Sequence, residues 1–211
     1  MKLFLDTAST IDIASAFDTG LIDGVTTNPT LIKKAGARPD DIYREIAEIG
    51  VQDISMEVMG EYEDMLYEGY RLSGEFGDVA TIKLPMTVDG LLACKELSKQ
   101  QIRTNVTLIF NAAQALLAAK AGATYVSPFV GRIDDQGYAG LEVVRSIANL
   151  FCSMGCGTQV LAASIRTPHR AVRSFYNGAA LATIPPSVFW KMYDHVLTDQ
   201  GLDIFERDAR K

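Results

Sequence analysis

Eight short apolar runs recur along the chain, each followed by a segment of helical spacing. This alternation constrains the fold more than any other feature of the sequence. The runs fall at residues 3–6, 25–28, 54–58, 79–84, 103–107, 125–129, 159–164 and 181–185. Between them, residues 41–49 set Ile42, Ile46 and Ile49 on one helical face. Similar spacing runs through 87–97 and 141–151, and 112–121 is rich in Ala and Leu, strong helix formers. A last amphipathic stretch at about 199–208 reads as an additional C-terminal helix. Strands alternating with helices imply right-handed βαβ units and a parallel sheet. Eight units in 211 residues leave about 26 residues each, the compact end of a (β/α)8 TIM barrel. An open doubly wound sheet would carry a Gly-rich fingerprint after its first strand. Here that strand runs into Asp6-Thr7-Ala8-Ser9 instead. No linker or low-complexity stretch interrupts the pattern, so residues 1–211 read as a single barrel domain.

Composition narrows the function classes. Hydrophobic residues make up 48% and charged residues 22%, which argues against disorder. The net charge of −6 disfavours nucleic-acid or anionic-membrane partners. No apolar run reaches the 18 residues of a membrane span, and residues 3–5 are too short for a signal-peptide core. Cys94, Cys152 and Cys156 are odd in number and lack C-x-x-C spacing, which suits reduced thiols in the cytoplasm. His169 and His195 are far apart and have no partner at ligand spacing, so no metal site is expected.

Strand side chains alternate between two faces. With Ile82 and Leu84 toward the helices, Thr81 and Lys83 face the barrel interior. The same parity turns inward Asp6, Thr26 with Asn28, Ser55 with Glu57, Asn105 with Thr107, Ser127 with Phe129, and Ala162 with Ser164. The polar members gather at the C-terminal strand ends, where barrel active sites lie. Lys83 stands out, because lysine is almost never fully buried without a role. Burial disfavours an ammonium, and a neutral amine attacks carbonyls. Asp6 and Glu57 are candidate general acid and base groups, or charge balance for Lys83. Asn28, Asn105 and Thr107 suit sugar hydroxyls or an ordered water. Arg132 and the Ser164-Ile165-Arg166 stretch offer two guanidinium groups and a hydroxyl for a phosphate monoester. The aromatics Phe175, Tyr176, Phe189, Trp190 and Tyr193 have helical spacing and read as core or subunit contact.

Several stretches together resemble the short-form members of the transaldolase/fructose 6-phosphate aldolase family. They are Phe4-Leu5-Asp6-Thr7-Ala8, Gly24-Val25-Thr26-Thr27-Asn28-Pro29, Ile82-Lys83-Leu84-Pro85, Leu197-Thr198-Asp199, and residues 104–110, 118–132 and 161–166. They span nearly the whole chain in the family's order. The resemblance implies a class I aldolase-type barrel that needs no cofactor and acts on sugar phosphates. Lys83 would be the Schiff-base lysine and Asp6 the acid/base. Glu57 with Thr107 would hold a catalytic water. Asn28 and Asn105 would bind the dihydroxyacetone portion, Arg132, Ser164 and Arg166 the phosphate, and Ser127 the polar end of the substrate. Short members form decamers of two pentameric rings with the C-terminal helix reaching a neighbour, so a homodecamer or homopentamer is expected, with the helix at about 199–208 in the subunit contacts.

Two positions bear on the branch of the family. Members acting as transaldolases resemble this chain in having Glu57 and Phe129, whereas the aldolase branch tends to carry glutamine and tyrosine there. A tyrosine hydroxyl would help protonate the bound three-carbon carbanion and release free dihydroxyacetone. Phenylalanine cannot donate that proton, so the intermediate would survive until an aldose arrives. The expectation is transfer of a dihydroxyacetone unit between sugar phosphates of the pentose phosphate pathway. The alternatives are an aldolase releasing dihydroxyacetone and a non-catalytic sugar-phosphate-binding barrel.

Overall fold

The computed structural model describes residues 1–210. Eight parallel strands close into a barrel in sequence order, with the eighth pairing the first through Lys2↔Leu181 to Leu5↔Ile184. They are β1 (Lys2–Asp6), β2 (Gly24–Thr26), β3 (Ile54–Glu57), β4 (Ala80–Pro85), β5 (Thr104–Ile109), β6 (Tyr125–Pro128), β7 (Gln159–Ala162) and β8 (Leu181–Ile184). The helices are α1 (Thr10–Phe17), α2 (Pro29–Ala35), α3 (Pro39–Ile49), α4 (Tyr62–Phe76), α5 (Val88–Lys99) and α6 (Ala112–Lys120), then α7 (Val130–Asp135), α8 (Gly140–Ser153), α9 (Pro168–Tyr176), α10 (Pro186–Lys191) and α11 (Val196–Ala209). The (β/α)8 barrel read from the sequence is therefore the fold, and α11 is its extra helix, three residues earlier at its start than expected.

Polar caps set where many of the helices begin. Ser9, Asn28, Thr87, Asn111 and Thr167 each accept a backbone N–H of the first helical turn. Such caps are worth about 0.5–2 kcal/mol each. They fix the tight turns that leave strand ends facing the mouth of the barrel.

Parity sorts the core into two shells. Ile54, Met56, Ile82, Leu84, Val106 and Val126 belong to the large cluster between strands and helices. Phe4, Tyr125, Leu161 and Leu181 form a separate cluster inside the barrel, with Phe4 and Tyr125 edge to face at 6.3 Å. Beneath it, at the N-terminal strand ends, the buried Asp53 carboxylate accepts from Thr81 Oγ1 (2.7 Å), Arg103 Nη1 (2.7 Å) and Tyr125 OH (2.8 Å). Apolar side chains and this polar knot fill the lower part of the barrel interior.

Strand β7 corrects one expectation. Ala162 packs in the outer cluster and Leu161 in the inner one, so simple parity had the strand one residue out of phase. Ser164 still reaches the interior because the strand ends at Ala162 and Ser164 adopts φ 58°. A left-handed turn, not alternation, brings its hydroxyl inward.

The terminal aromatics divide. Phe189 is buried, whereas Trp190, Tyr193 and Tyr176 are exposed. No residue of α11 is buried within the chain, and Leu197, Leu202, Ile204 and Phe205 are open. Among the described residues no helix is long and apolar enough to cross a membrane.

Candidate active site

A cavity of about 110 Å³ opens at the C-terminal ends of the strands. Asp6, Thr26, Asn28, Lys83, Thr107, Ser127, Phe129, Arg132, Ala163, Ser164 and Thr183 line it. Strands β1, β2, β4, β5, β6 and β8 contribute residues that alternation brings to one end of a closed sheet, and the turn after β7 adds Ala163 and Ser164.

Lys83 sits near the top of β4 and is 5% exposed. Its Nζ lies 2.9 Å from Glu57 Oε2 and donates to the Thr27 carbonyl at 2.9 Å. The β3–β4 register places Glu57 directly beside Lys83. Glu57 does not line the cavity itself and faces a groove among α2, α3 and α4 with Tyr43 and Met59. It meets the cavity at Lys83.

Asp6, at the end of β1, accepts from Thr26 Oγ1 at 2.7 Å. Thr26 Oγ1 also lies 2.6 Å from Thr183 Oγ1. Burial pushes the Asp6 carboxyl above its ordinary value, while the Lys83 charge and the Thr26 hydroxyl pull it back. A carboxyl with a raised pKa beside a buried amine suits proton transfer in both directions. Thr26 thereby holds Asp6 in place. Thr183 was not singled out in the sequence, although its place on β8, two residues after the inward Leu181, is the signal that marks it.

Asn105 and Ser127 form a buried chain below the opening. Ser127 Oγ donates to Asn105 Oδ1 at 2.7 Å, and Asn105 Nδ2 donates to Ser55 Oγ at 3.2 Å. Only Ser127 of these lines the cavity. Asn28 caps α2 through Oδ1, at 3.0 Å from Leu31 N, so its amide NH2 is what it can offer a ligand. Thr107 Oγ1 is the one buried side-chain polar atom without a hydrogen-bond partner among the described residues. An unpaired buried hydroxyl is costly unless a water or ligand completes it. The register shifts just beyond it, where Leu108 adopts φ 61°. Bulges and positive φ at non-glycine residues concentrate near functional sites.

The remaining wall comes from the turns after β6 and β7. Phe129 packs against Phe110 at 6.0 Å, and the Arg132 guanidinium lies 4.9 Å from its ring centre. Gly131 is required here. A Cβ on it would stand 2.3 Å from the Ser164 carbonyl oxygen and 2.8 Å from Arg166 Nε. Arg166 therefore lies against the rim, outside the cavity lining, with both Nη atoms donating to Asp135. That pairing holds the Asp135 carboxyl below its ordinary value and raises Arg166 further.

The chain matches the family model described as Transaldolase/Fructose-6-phosphate aldolase over residues 3–211. The chain belongs to that family. It is 48% identical over 212 residues to a "Probable transaldolase" of Thermodesulfovibrio yellowstonii, covering 100% of this chain and 99% of the relative. It is 48% identical over 215 residues to one of Thermoplasma acidophilum (100% and 96%), and 46% identical over 209 residues to one of Caulobacter vibrioides (99% and 96%). The family match and the cavity come from separate observations, yet Lys83 lies in both a matching stretch and the cavity wall.

Proposed function

We propose that the protein is a transaldolase that moves a dihydroxyacetone unit from a ketose phosphate to an aldose phosphate through a Schiff base on Lys83. The observation that carries this reading is the Lys83 amine, buried beside Glu57 at a polar cavity that Asp6 also lines. A lone structural ion pair has no need of a second carboxyl and an unpartnered Thr107 hydroxyl at the same cavity.

The donor is sedoheptulose 7-phosphate or fructose 6-phosphate, and the acceptor glyceraldehyde 3-phosphate or erythrose 4-phosphate. Neutral Lys83 attacks the ketone carbon, and Glu57 takes the proton that Nζ gives up. Loss of water leaves a protonated imine, the water being held between Glu57 and Thr107. Asp6 removes the hydroxyl proton on the fourth carbon, the bond between the third and fourth carbons breaks, and its electrons enter the imine as an enamine. The aldose phosphate leaves. The enamine then adds to the carbonyl of a second aldose phosphate, and Asp6 returns the proton to the new hydroxyl. Hydrolysis frees Lys83. The lysine is the electron sink throughout, so no cofactor is required.

The Asn28 amide and the Asn105–Ser127 pair serve the hydroxyls of the three-carbon unit. Arg132, Ser164 and Arg166 take the phosphate. Phe129 offers no proton to the enamine, which favours transfer over release. The substrates place the enzyme in the pentose phosphate pathway. Its three free thiols suit the cytoplasm. The chain is one barrel domain, and the open apolar residues of α11 suit the subunit contacts of a pentamer or decamer. Mass in solution tests that assembly.

The function is tested by measuring glyceraldehyde 3-phosphate released from fructose 6-phosphate, with and without erythrose 4-phosphate. Release that needs the acceptor, with sedoheptulose 7-phosphate formed in step, is expected. Steady release without acceptor, with dihydroxyacetone accumulating, makes the protein an aldolase. Lys83→Met folds and gives no borohydride-trapped adduct; turnover in that variant removes the Schiff base from the account.

A further inference from the structure

The Lys83 amine has two fixed partners, and only one is a carboxylate. The other is the main-chain carbonyl of Thr27, 2.9 Å away. An ammonium has three N–H donors. With two held by Glu57 and Thr27, the remaining valence of Nζ is turned to the cavity that Lys83 lines.

The Thr27 carbonyl owes its position to contacts on the far side of the strand. Thr27 is completely buried and alternates outward from Thr26. Its N–H and its Oγ1 both donate to the Ser55 carbonyl, at 3.2 and 3.0 Å. Its Oγ1 also lies 3.4 Å from Tyr43 OH, and Tyr43 is wedged edge-to-face against Phe76 at 6.1 Å. The following residue, Asn28, is pinned as the cap of α2. A buried threonine with no contact to the cavity is thus gripped from β3, α2 and α3, and what it presents to the interior is one carbonyl oxygen aimed at the reacting nitrogen.

We propose that Thr27 is a positioning residue of the reaction: its side chain, braced by Ser55 and Tyr43, fixes the carbonyl that aims Lys83 Nζ into the cavity. This rests on the Schiff-base reading of Lys83. The same carbonyl accepts the single N–H of the protonated imine once the carbon–nitrogen bond has formed. Near-attack geometry is sensitive to displacements well below 1 Å, so a loosened carbonyl costs rate without costing substrate affinity.

The test is Thr27→Val, which keeps shape and removes the hydroxyl, beside Thr27→Ser, which restores it. Thr27→Val should lower kcat about tenfold, leave KM within about twofold and slow borohydride trapping of fructose 6-phosphate. Thr27→Ser should return all three toward the parent. Tyr43→Phe removes only the outer brace and gives a smaller change of the same sign, which keeps the test available where Thr27→Val does not fold. Parent kcat in Thr27→Val, a KM raised as much as kcat is lowered, or a lower kcat with no rescue by serine, overturns the proposal. If the parent enzyme itself traps no adduct on Lys83, the Schiff-base reading has failed instead, and the two failures are thereby told apart.

Discussion

Three carboxylates lie in or under this barrel, and Asp53 is the one that belongs to the floor. Its Oδ1 accepts from Thr81, and its Oδ2 accepts from both Arg103 and Tyr125. Asp53→Ala leaves two buried hydroxyls and a guanidinium without their acceptor. Breaking a fully buried ion pair costs about 3–5 kcal/mol. Arg103 retains 30% of its side-chain exposure, so water recovers part of its charge and the lower end of that range applies to the pair. The orphaned Tyr125 and Thr81 hydroxyls add about 1 kcal/mol after relaxation, giving a total near 4 kcal/mol. Asp53→Asn behaves differently. Its carbonyl can take the Oδ2 place and keep Arg103 and Tyr125, while the Thr81 hydroxyl rotates to accept from the amide. The loss is then the difference between charged and neutral hydrogen bonds, about 1.5–2 kcal/mol. Urea unfolding at one protein concentration measures both, read as a fall in midpoint at unchanged slope. Turnover per folded molecule should stay within about threefold of the parent, because Asp53 is at the opposite end from the cavity. An alanine variant that loses less than about 1 kcal/mol, or an asparagine variant as damaged as alanine, refutes the reasoning.

Other outcomes follow from the site. Asp6 has a raised pKa in the folded chain, so its contribution to stability is fully present below its ordinary value of 3.8 and is lost as pH rises through the higher folded value. Asp6→Asn removes that dependence: relative to the parent it gains stability between pH 3 and pH 7 in denaturant titrations, while its turnover collapses. A constant stability difference across that range contradicts the assignment. Arg166→Ala should raise KM about tenfold for phosphorylated acceptors and within about twofold for unphosphorylated ones. An equal effect on both removes Arg166 from the phosphate site. Phe129→Tyr should raise the share of turnover ending in free dihydroxyacetone, measured without acceptor. An unchanged product ratio shows that residue 129 does not control protonation of the enamine.

Much of this was legible before any coordinates. A period of two in the strands and 3.6 in the helices is a local property, and it repeats eight times. Closure into a barrel and the inward lysine on the fourth strand follow from that count and from parity. Parity failed where the backbone departs from a regular strand. At β7 it misassigned Ala162, because a left-handed Ser164 cannot be seen in an apolar/polar pattern. Glu57 and Asn105 stand in register with Lys83 on the neighbouring strands, as parity implies, but that Glu57 pairs with Lys83 and Asn105 with Ser127 could not be read from it. Arg166 was legible as a charge near the rim, but its pairing with Asp135, 31 residues away, was not.

By itself, then, the sequence determined the barrel, the end at which its polar residues gather and the lysine that stands among them, because each is set by short-range periodicity. Only the tertiary structure decided which groups touch that lysine. The Thr27 carbonyl carries no side-chain signature, Thr183 joins Thr26 across 157 residues, and Asp53 meets Tyr125 across 72. The Thr26–Thr183 contact exists only once the eighth strand has closed on the first, and the other two join strands that are not neighbours, so all three depend on the sheet as a whole.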